Sequence, residues 1–235
     1  MKRRDYSLLD ASMSDISEKG LFKPAITGAA ETRFIEALWP EVFDNEVTLS
    51  NLHYHIGCAR FDEVLFIASI ARHINPQFVF EIGTCEGRTT INIARNCPEL
   101  IKLFTLNLPP EADPGIEWLP QDKVIYEQTK CRIGINFKNS AYQGKIEQIF
   151  SDSDGYDFKK HGPIDLVLID GGTRSESVLA SSEKCWKILR PGGVLIWRAY
   201  NYADGVTSGV DMFCENNSIK AFNIYKTTLA VALKK

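Results

Sequence analysis

The sequence predicts an α/β fold: a seven-stranded, mainly parallel sheet with helices on both faces, closed by a C-terminal antiparallel hairpin. Three observations point there. From Gln77 onward, short apolar runs alternate with stretches of helical period, the pattern of strands joined by helical crossovers. Ile164-Asp165-Leu166-Val167-Leu168-Ile169 is a near-continuous apolar run, as a central strand covered on both faces requires. The last two strand-like runs, 219–224 and 228–233, are too close for a helical crossover and therefore pair antiparallel.

Taken in order, residues 1 to 30 carry Ser, Gly and Pro without a sustained period and read as a loosely held arm. Glu31 to Trp39 reads as a short helix stopped by Pro40. The stretch 62–73 is mostly apolar and long enough for a buried helix, closed by Asn75-Pro76. Strands are expected at 77–82, 102–107, 145–150, 164–169 and 193–198, ahead of the hairpin pair, with helices at 87–96, 174–189 and 204–216. Leu189-Arg190-Pro191-Gly192-Gly193 supplies the proline and glycines that end one helix before the next strand. Residues 109–144 form a long connection with Trp118, Tyr126, Phe137 and Tyr142, either a lid or a packed crossing. The expected organisation is an N-terminal arm with short helices over 1–60, serving as lid or oligomer contact, and one domain over 61–235.

Composition narrows the function classes. A net charge of −3 gives no electrostatic case for nucleic acid or an anionic membrane. No apolar run approaches the roughly 18 residues of a membrane span. Lys2-Arg3-Arg4 has no apolar segment behind it, so no signal peptide is expected. Six scattered cysteines without a C-x-x-C pair read as reduced thiols of a cytoplasmic protein.

The segment Phe78-Val79-Phe80-Glu81-Ile82-Gly83-Thr84-Cys85-Glu86-Gly87-Arg88-Thr89-Thr90 carries most of the functional signal. An apolar strand ends in an acid, a glycine turn follows, and a helix opens. Glycine at such a turn lets backbone approach a ligand. The spacing is not G-x-G-x-x-G, which disfavours a pyrophosphate cradle and a nicotinamide enzyme. Glu86 inside the loop would repel phosphate and suits an ammonium or sulfonium ligand. The bland alternative is a tight strand-to-helix turn with no ligand. His53-Tyr54-His55 offers two histidines on one face but no third metal ligand, His161 sits in a polar loop and reads as solvated, and Cys85 reads as a small loop filler.

Further segments follow at regular intervals: Phe104-Thr105-Leu106-Asn107-Leu108, Phe150-Ser151-Asp152-Ser153, Ile169-Asp170-Gly171-Gly172 and Leu189 through Trp197. With Glu81–Thr90 they resemble the class I S-adenosylmethionine (SAM) methyltransferases, in particular the bacterial small-molecule O-methyltransferase branch that includes the catechol and cephalosporin-biosynthesis enzymes. The resemblance implies SAM as cofactor and a small-molecule acceptor. It has Glu81 and Gly83 hold the methionine end of SAM, Glu81 by pairing with or orienting its ammonium. Asn107 would meet the ribose hydroxyls and Asp152 and Ser153 the adenine edge, with Thr84, Gly87, Thr89 and Leu108 also against the cofactor, and Asp170 at the cofactor or the chemistry. Relatives usually hold a divalent metal with Asp170 and acids after the fifth strand; this chain reads Trp197-Arg198-Ala199-Tyr200, so no metal is expected. Asp170 and Arg198 are the candidate catalytic residues, although Asp170 also suits a helix cap and Arg198 a surface strand end. The competing expectation is a catalytically degenerate methyltransferase fold kept as a SAM-binding or assembly partner; self-association into a homodimer stays open.

Overall fold

The structure, a computed structural model, describes residues 27–53, 57–111 and 119–235. Most of the proposed arm, together with Tyr54, His55 and Trp118, lies outside the described residues. Eight strands form one sheet in the order β1-β7-β8-β6-β5-β2-β3-β4. Strands β2 (Phe78–Ile82), β3 (Lys102–Asn107), β4 (Ile146–Phe150), β5 (Ile164–Ile169) and β6 (Leu189–Trp197) run parallel, and the hairpin β7 (Ala221–Ile224) and β8 (Ala230–Leu233) returns antiparallel against β6. The seven expected strands are all present.

The eighth strand corrects the N-terminal expectation. Glu31–Arg33 is β1, paired parallel with β7, and only Ile35–Leu38 (α1) is helical. Ile35, Trp39 and Val42 then bury in the core of the main sheet, and Ala29 and Ala30 donate to Asp211 Oδ2 and Tyr200 Oη at 2.9 and 2.8 Å. A weak helical signal loses here to an open sheet edge, which supplies backbone partners the short segment cannot make alone.

Helix α2 (Phe61–Ile74) begins with a capping box, in which Glu63 accepts from the Arg60 amide at 2.8 Å, and ends at Asn75 in the left-handed region. Glu63 also receives the Thr228 hydroxyl and amide at 2.6 and 3.1 Å, which ties α2 to the hairpin. Helices α3 (Arg88–Asn96), α5 (Ser175–Ile188) and α6 (Asp204–Asn217) are the crossovers, and α4 (Pro120–Thr129) begins with its proline in the first turn. Two apolar clusters cover the two sheet faces, one with Ile67, Ile91 and Leu103, the other with Phe80, Trp197 and Phe213. His161 is not a solvated loop residue: it sits 4.2 Å from the Phe104 ring centre and bonds the Tyr156 hydroxyl, and burial lowers its pKa. No helix among the described residues is long and apolar enough to cross a membrane.

Candidate active site

Because five neighbouring strands run the same way, their carboxyl ends and following loops meet at one edge, where open α/β sheets bind ligands. A cavity of about 220 Å³ lies there. It is lined by Gly83, Thr84, Cys85 and Glu86 after β2, Asn107 and Leu108 after β3, Asp152 and Ser153 after β4, Asp170 after β5, and Arg198 after β6, with Arg88 and Thr89 opening α3. Of the residues that the resemblance assigns to cofactor or catalysis, Glu81 and Gly87 do not line it and the others do.

Glu81 lies behind the loop, 1% exposed. Its Oε2 accepts from the Thr90 hydroxyl and, at 2.6 Å, from Thr105. Thr105 therefore has its lone pairs left for Thr84, 2.7 Å away, which in turn accepts from Gln148 Nε2 at 3.0 Å. This chain of bonds fixes the glycine loop from below, so Glu81 acts on the loop rather than in the cavity. Burial raises its carboxyl to about 7, against the two hydroxyl bonds that lower it. A carboxyl raised on folding from 4.5 keeps its proton longer in the native state, so its contribution to stability falls as pH climbs from about 4.5 to about 7. Glu81→Gln should thus shrink the stability difference between pH 5 and pH 8 by up to about 3 kcal/mol, read from urea melts at the two values. An unchanged pH slope would assign the proton uptake elsewhere.

Gly83 lines the cavity and Gly87 does not, and each glycine has a packing reason to be bare. Gly83 has φ +97°, and a Cβ there would lie 1.9 Å from the Asp170 carbonyl oxygen, so its bareness serves the close passage of two strand exits. Gly87, at φ +79°, is kept bare by the Phe137 ring 2.5 Å from where a Cβ would sit. Cys85, at φ +47°, donates its amide to Asn107 Oδ1 at 3.2 Å, and Asn107 Nδ2 donates to Leu108 O at 3.0 Å. Asp152 Oδ1 accepts from the Asp154 amide at 3.0 Å, shaping the turn beside Ser153. Glu86 is not an open charge: Arg132 Nε is 3.1 Å from its Oε1.

Asp170 and Arg198 form an ion pair inside the cavity, and Arg198 Nη2 also donates to Gly57 O at 2.8 Å. Burial lifts Asp170 to about 6, with Arg198 opposing. Burial also works against the charge of Arg198, and Asp170 and Glu63 outweigh it, so its pKa is raised. Helix α5 begins at Arg174 without a side-chain cap, so Asp170 is spent on Arg198 and not on capping. Among the described residues no three His, Cys, Asp or Glu side chains converge as a metal site.

Other wall residues carry no individual signal in the sequence, although the 109–144 connection with Tyr126 reads as a lid or a packed crossing. From the 109–144 connection, α4 lays Asp122, Ile125, Tyr126 and Thr129 over the cavity. It is latched there because Asp122 Oδ2 accepts from the Thr173 amide at 2.9 Å, and Tyr126 donates to Pro109 O at 2.6 Å. Gly57, Cys58 and Ala59 close another side. Cys58 and Cys85 lie with sulfurs 3.9 Å apart, and the Cys85 thiol, with Arg88 nearby, lowers Cys58 to about 7. Nothing in the periodicity of these segments signals them, since they reach the cavity only through the packing of distant loops.

An α/β sheet of this order, with loops converging on one edge cavity, defines a Rossmann-like nucleotide- or cofactor-binding class. The methyltransferase-domain family model matches residues 80–198, half of the chain. The chain belongs to that family. Mouse catechol O-methyltransferase domain-containing protein 1 is 22% identical over 142 residues, 58% of this chain and 49% of its own length, so the chain spans about half the length of this curated relative. Among solved structures, the Bacillus cereus O-methyltransferase in complex with SAH aligns at a TM-score of 0.55 with 18% identity, over 78% of this chain and 85% of that one. The O-methyltransferase TomG of Streptomyces achromogenes, involved in tomaymycin synthesis and solved with SAM, aligns at 0.51 with 18% identity, over 95% and 96%. SAH-bound PaMTH1 of Podospora anserina aligns at 0.57 with 10% identity, over 86% and 95%.

Proposed function

We propose that the protein is a SAM-dependent methyltransferase that methylates an oxygen of a small molecule without a divalent metal. The observation that carries this reading is the convergence of the Gly83–Glu86 loop, Asn107–Leu108, Asp152–Ser153 and Asp170 on one cavity, in a chain of the methyltransferase-domain family. The names and ligands of the B. cereus and S. achromogenes neighbours support it. The donor set fits the cofactor: bare loop backbone and Thr84 for an amino-acid tail, Asn107 for hydroxyls, Asp152 and Ser153 for a base edge.

Bound there, SAM would supply a methyl group already activated on a sulfonium sulfur. What the chain adds is alignment, exclusion of water and removal of one proton. Helix α4, latched by Asp122 to Thr173, roofs the cavity and favours an acceptor small enough to lie beneath it. Asp170, at about 6, is mostly ionised at neutral pH and can take the acceptor hydroxyl proton while Arg198 holds its carboxylate in place. Transfer to the acceptor oxygen would leave the donor as a neutral thioether, with the displaced proton on Asp170. A hard cation needs several oxygen ligands, and at the end of β6 this chain offers a guanidinium already paired with Asp170, then the methyl of Ala199.

Titration calorimetry with SAM and SAH tests the reading: binding is expected and should be unaffected by excess EDTA, as should turnover. No binding at millimolar ligand would sink the proposal, and activity lost in chelator but restored by Mg²⁺ would overturn its metal-independent part. A second reading, a degenerate fold that binds SAM as an assembly partner, draws on the same Arg198–Asp170 pair and on the commitment of Asn107 to the Cys85 amide. Turnover of any acceptor in a methyl-donor screen decides against it.

A further inference from the structure

Arg88 is the first residue of α3, 4% exposed, and lines the cavity. Three side chains one turn apart on this helix hold the strap 48–53. Asn96 exchanges bonds with the Thr48 amide and carbonyl at 2.9 Å each, and Asn92 does so with Ser50 at 2.8 and 2.9 Å. Arg88 completes the ladder with Nη1 alone, donating to His53 O at 3.0 Å and Leu52 O at 3.4 Å. Its Nε and Nη2 are buried and have no hydrogen-bond partner among the described residues. The half-buried Arg72 and Arg95 each leave a single Nε unmatched; Arg88 leaves two donors, and those two form the side of the guanidinium that takes a carboxylate with two parallel bonds.

Two costs coincide at this residue. A buried donor pair left unmade is unfavourable, and a cation on the first turn of a helix opposes the positive end of the helix dipole. An anion at that point removes both, because it meets the free guanidinium edge and the first-turn amides together. The nearby carboxylates are committed elsewhere, Glu86 to Arg132 and Asp170 to Arg198.

Resting on the methyltransferase reading, we propose that Arg88 is the carboxylate anchor of the cavity and reads a carboxylate of the bound ligand through Nε and Nη2. Two sources share that chemistry, the α-carboxylate of the cofactor and a carboxylate on the acceptor. Calorimetry on the full chain separates them, using SAH, 5′-methylthioadenosine (the same nucleoside and thioether without the amino acid) and benzoate as an acceptor-side probe. Arg88→Met should weaken SAH roughly 10- to 100-fold, as loss of a charged two-bond contact implies, and leave methylthioadenosine within about twofold. Arg88→Lys, which keeps the charge and one strap bond, should fall between. If SAH is unchanged while benzoate binding is lost, the carboxylate belongs to the acceptor and the anchor stands. Equal losses for SAH and methylthioadenosine would make Arg88 a strap tether only, and no change for any probe would likewise overturn the proposal. A wild-type protein that binds neither nucleoside fails the methyltransferase reading instead, and benzoate then judges Arg88 alone.

Discussion

Arg198→Met should destabilise the protein by about 3–5 kcal/mol at pH 8, the usual cost of stranding one partner of a buried ion pair. Asp170 sits against Arg198 with little exposure, and the same guanidinium holds Gly57 O at 2.8 Å, so the substitution leaves a carboxylate without its counter-charge and the Gly57 carbonyl without this donor. The loss should depend on pH in a defined sense. Arg198 holds the Asp170 carboxyl down against burial, which has already raised it to about 6; without Arg198 it rises further. Once protonated it no longer needs a partner, so the penalty should shrink as pH falls from the variant's raised carboxyl value to about 6 and level off below that. For a chain of this size the loss at pH 8 corresponds to a fall in melting temperature of about 10 °C. Asp170→Asn added to Arg198→Met should restore much of it, because the stranded charge is gone. Urea melts at pH 5.5 and pH 8 check this; an equal penalty at both would mean that packing of the arginine stem, not its charge, matters.

Gly83→Ala should be comparably damaging, at about 3–5 kcal/mol. A non-glycine residue at positive φ costs about 1–2 kcal/mol, and Gly83 is at φ +97°. The larger cost is steric: the new methyl lands 1.9 Å from the Asp170 carbonyl oxygen and 2.5 Å from its carbon. Neither strand exit can yield easily, because Gly83 donates to Leu106 O and Asp170 donates to Ile82 O, both at 2.8 Å. Forced overpacking adds about 1–3 kcal/mol. Gly87→Ala is the control. It carries a similar φ of +79° but meets the Phe137 side chain, which can swing aside, so about 1–2 kcal/mol is expected. Chemical denaturation of both variants tests the order, and a Gly83→Ala protein as stable as wild type would show that the β5 exit is free to move.

The contrast between Gly83 and Glu81 marks how far the sequence could be read. The acid-x-Gly turn was visible from spacing alone, and so was its place between a strand and a helix. Its neighbours were not. The sequence suggested a glycine cleared for a ligand and an acid facing one. Tertiary packing keeps the glycine on the cavity wall while also setting it against Asp170, and it buries the acid under Thr90 and Thr105. Asp170 and Arg198 were both legible as strand-end residues, and the pairing of β5 with β6 brings them into contact. The roles of Arg88, Cys58 and Asp122 had no such signal, although an arginine on the first turn of α3 is electrostatically misplaced and in hindsight a clue.

The alternation of strands and helices, the central strand Ile164–Ile169, the closing hairpin and the loops at the sheet's carboxyl edge are all legible in the chain before it folds. These follow from periodicity and connection length, which act over a few residues and need no knowledge of what packs where. The fate of 31–33 was settled by long-range contacts, because the segment is too short to favour any state until β7 offers it an edge. Such contacts also selected the lid among the two expectations for 109–144, with α4 over the cavity, and turned Glu81 inward. Those outcomes depend on contacts between residues far apart in the chain, whose energies local pattern does not encode.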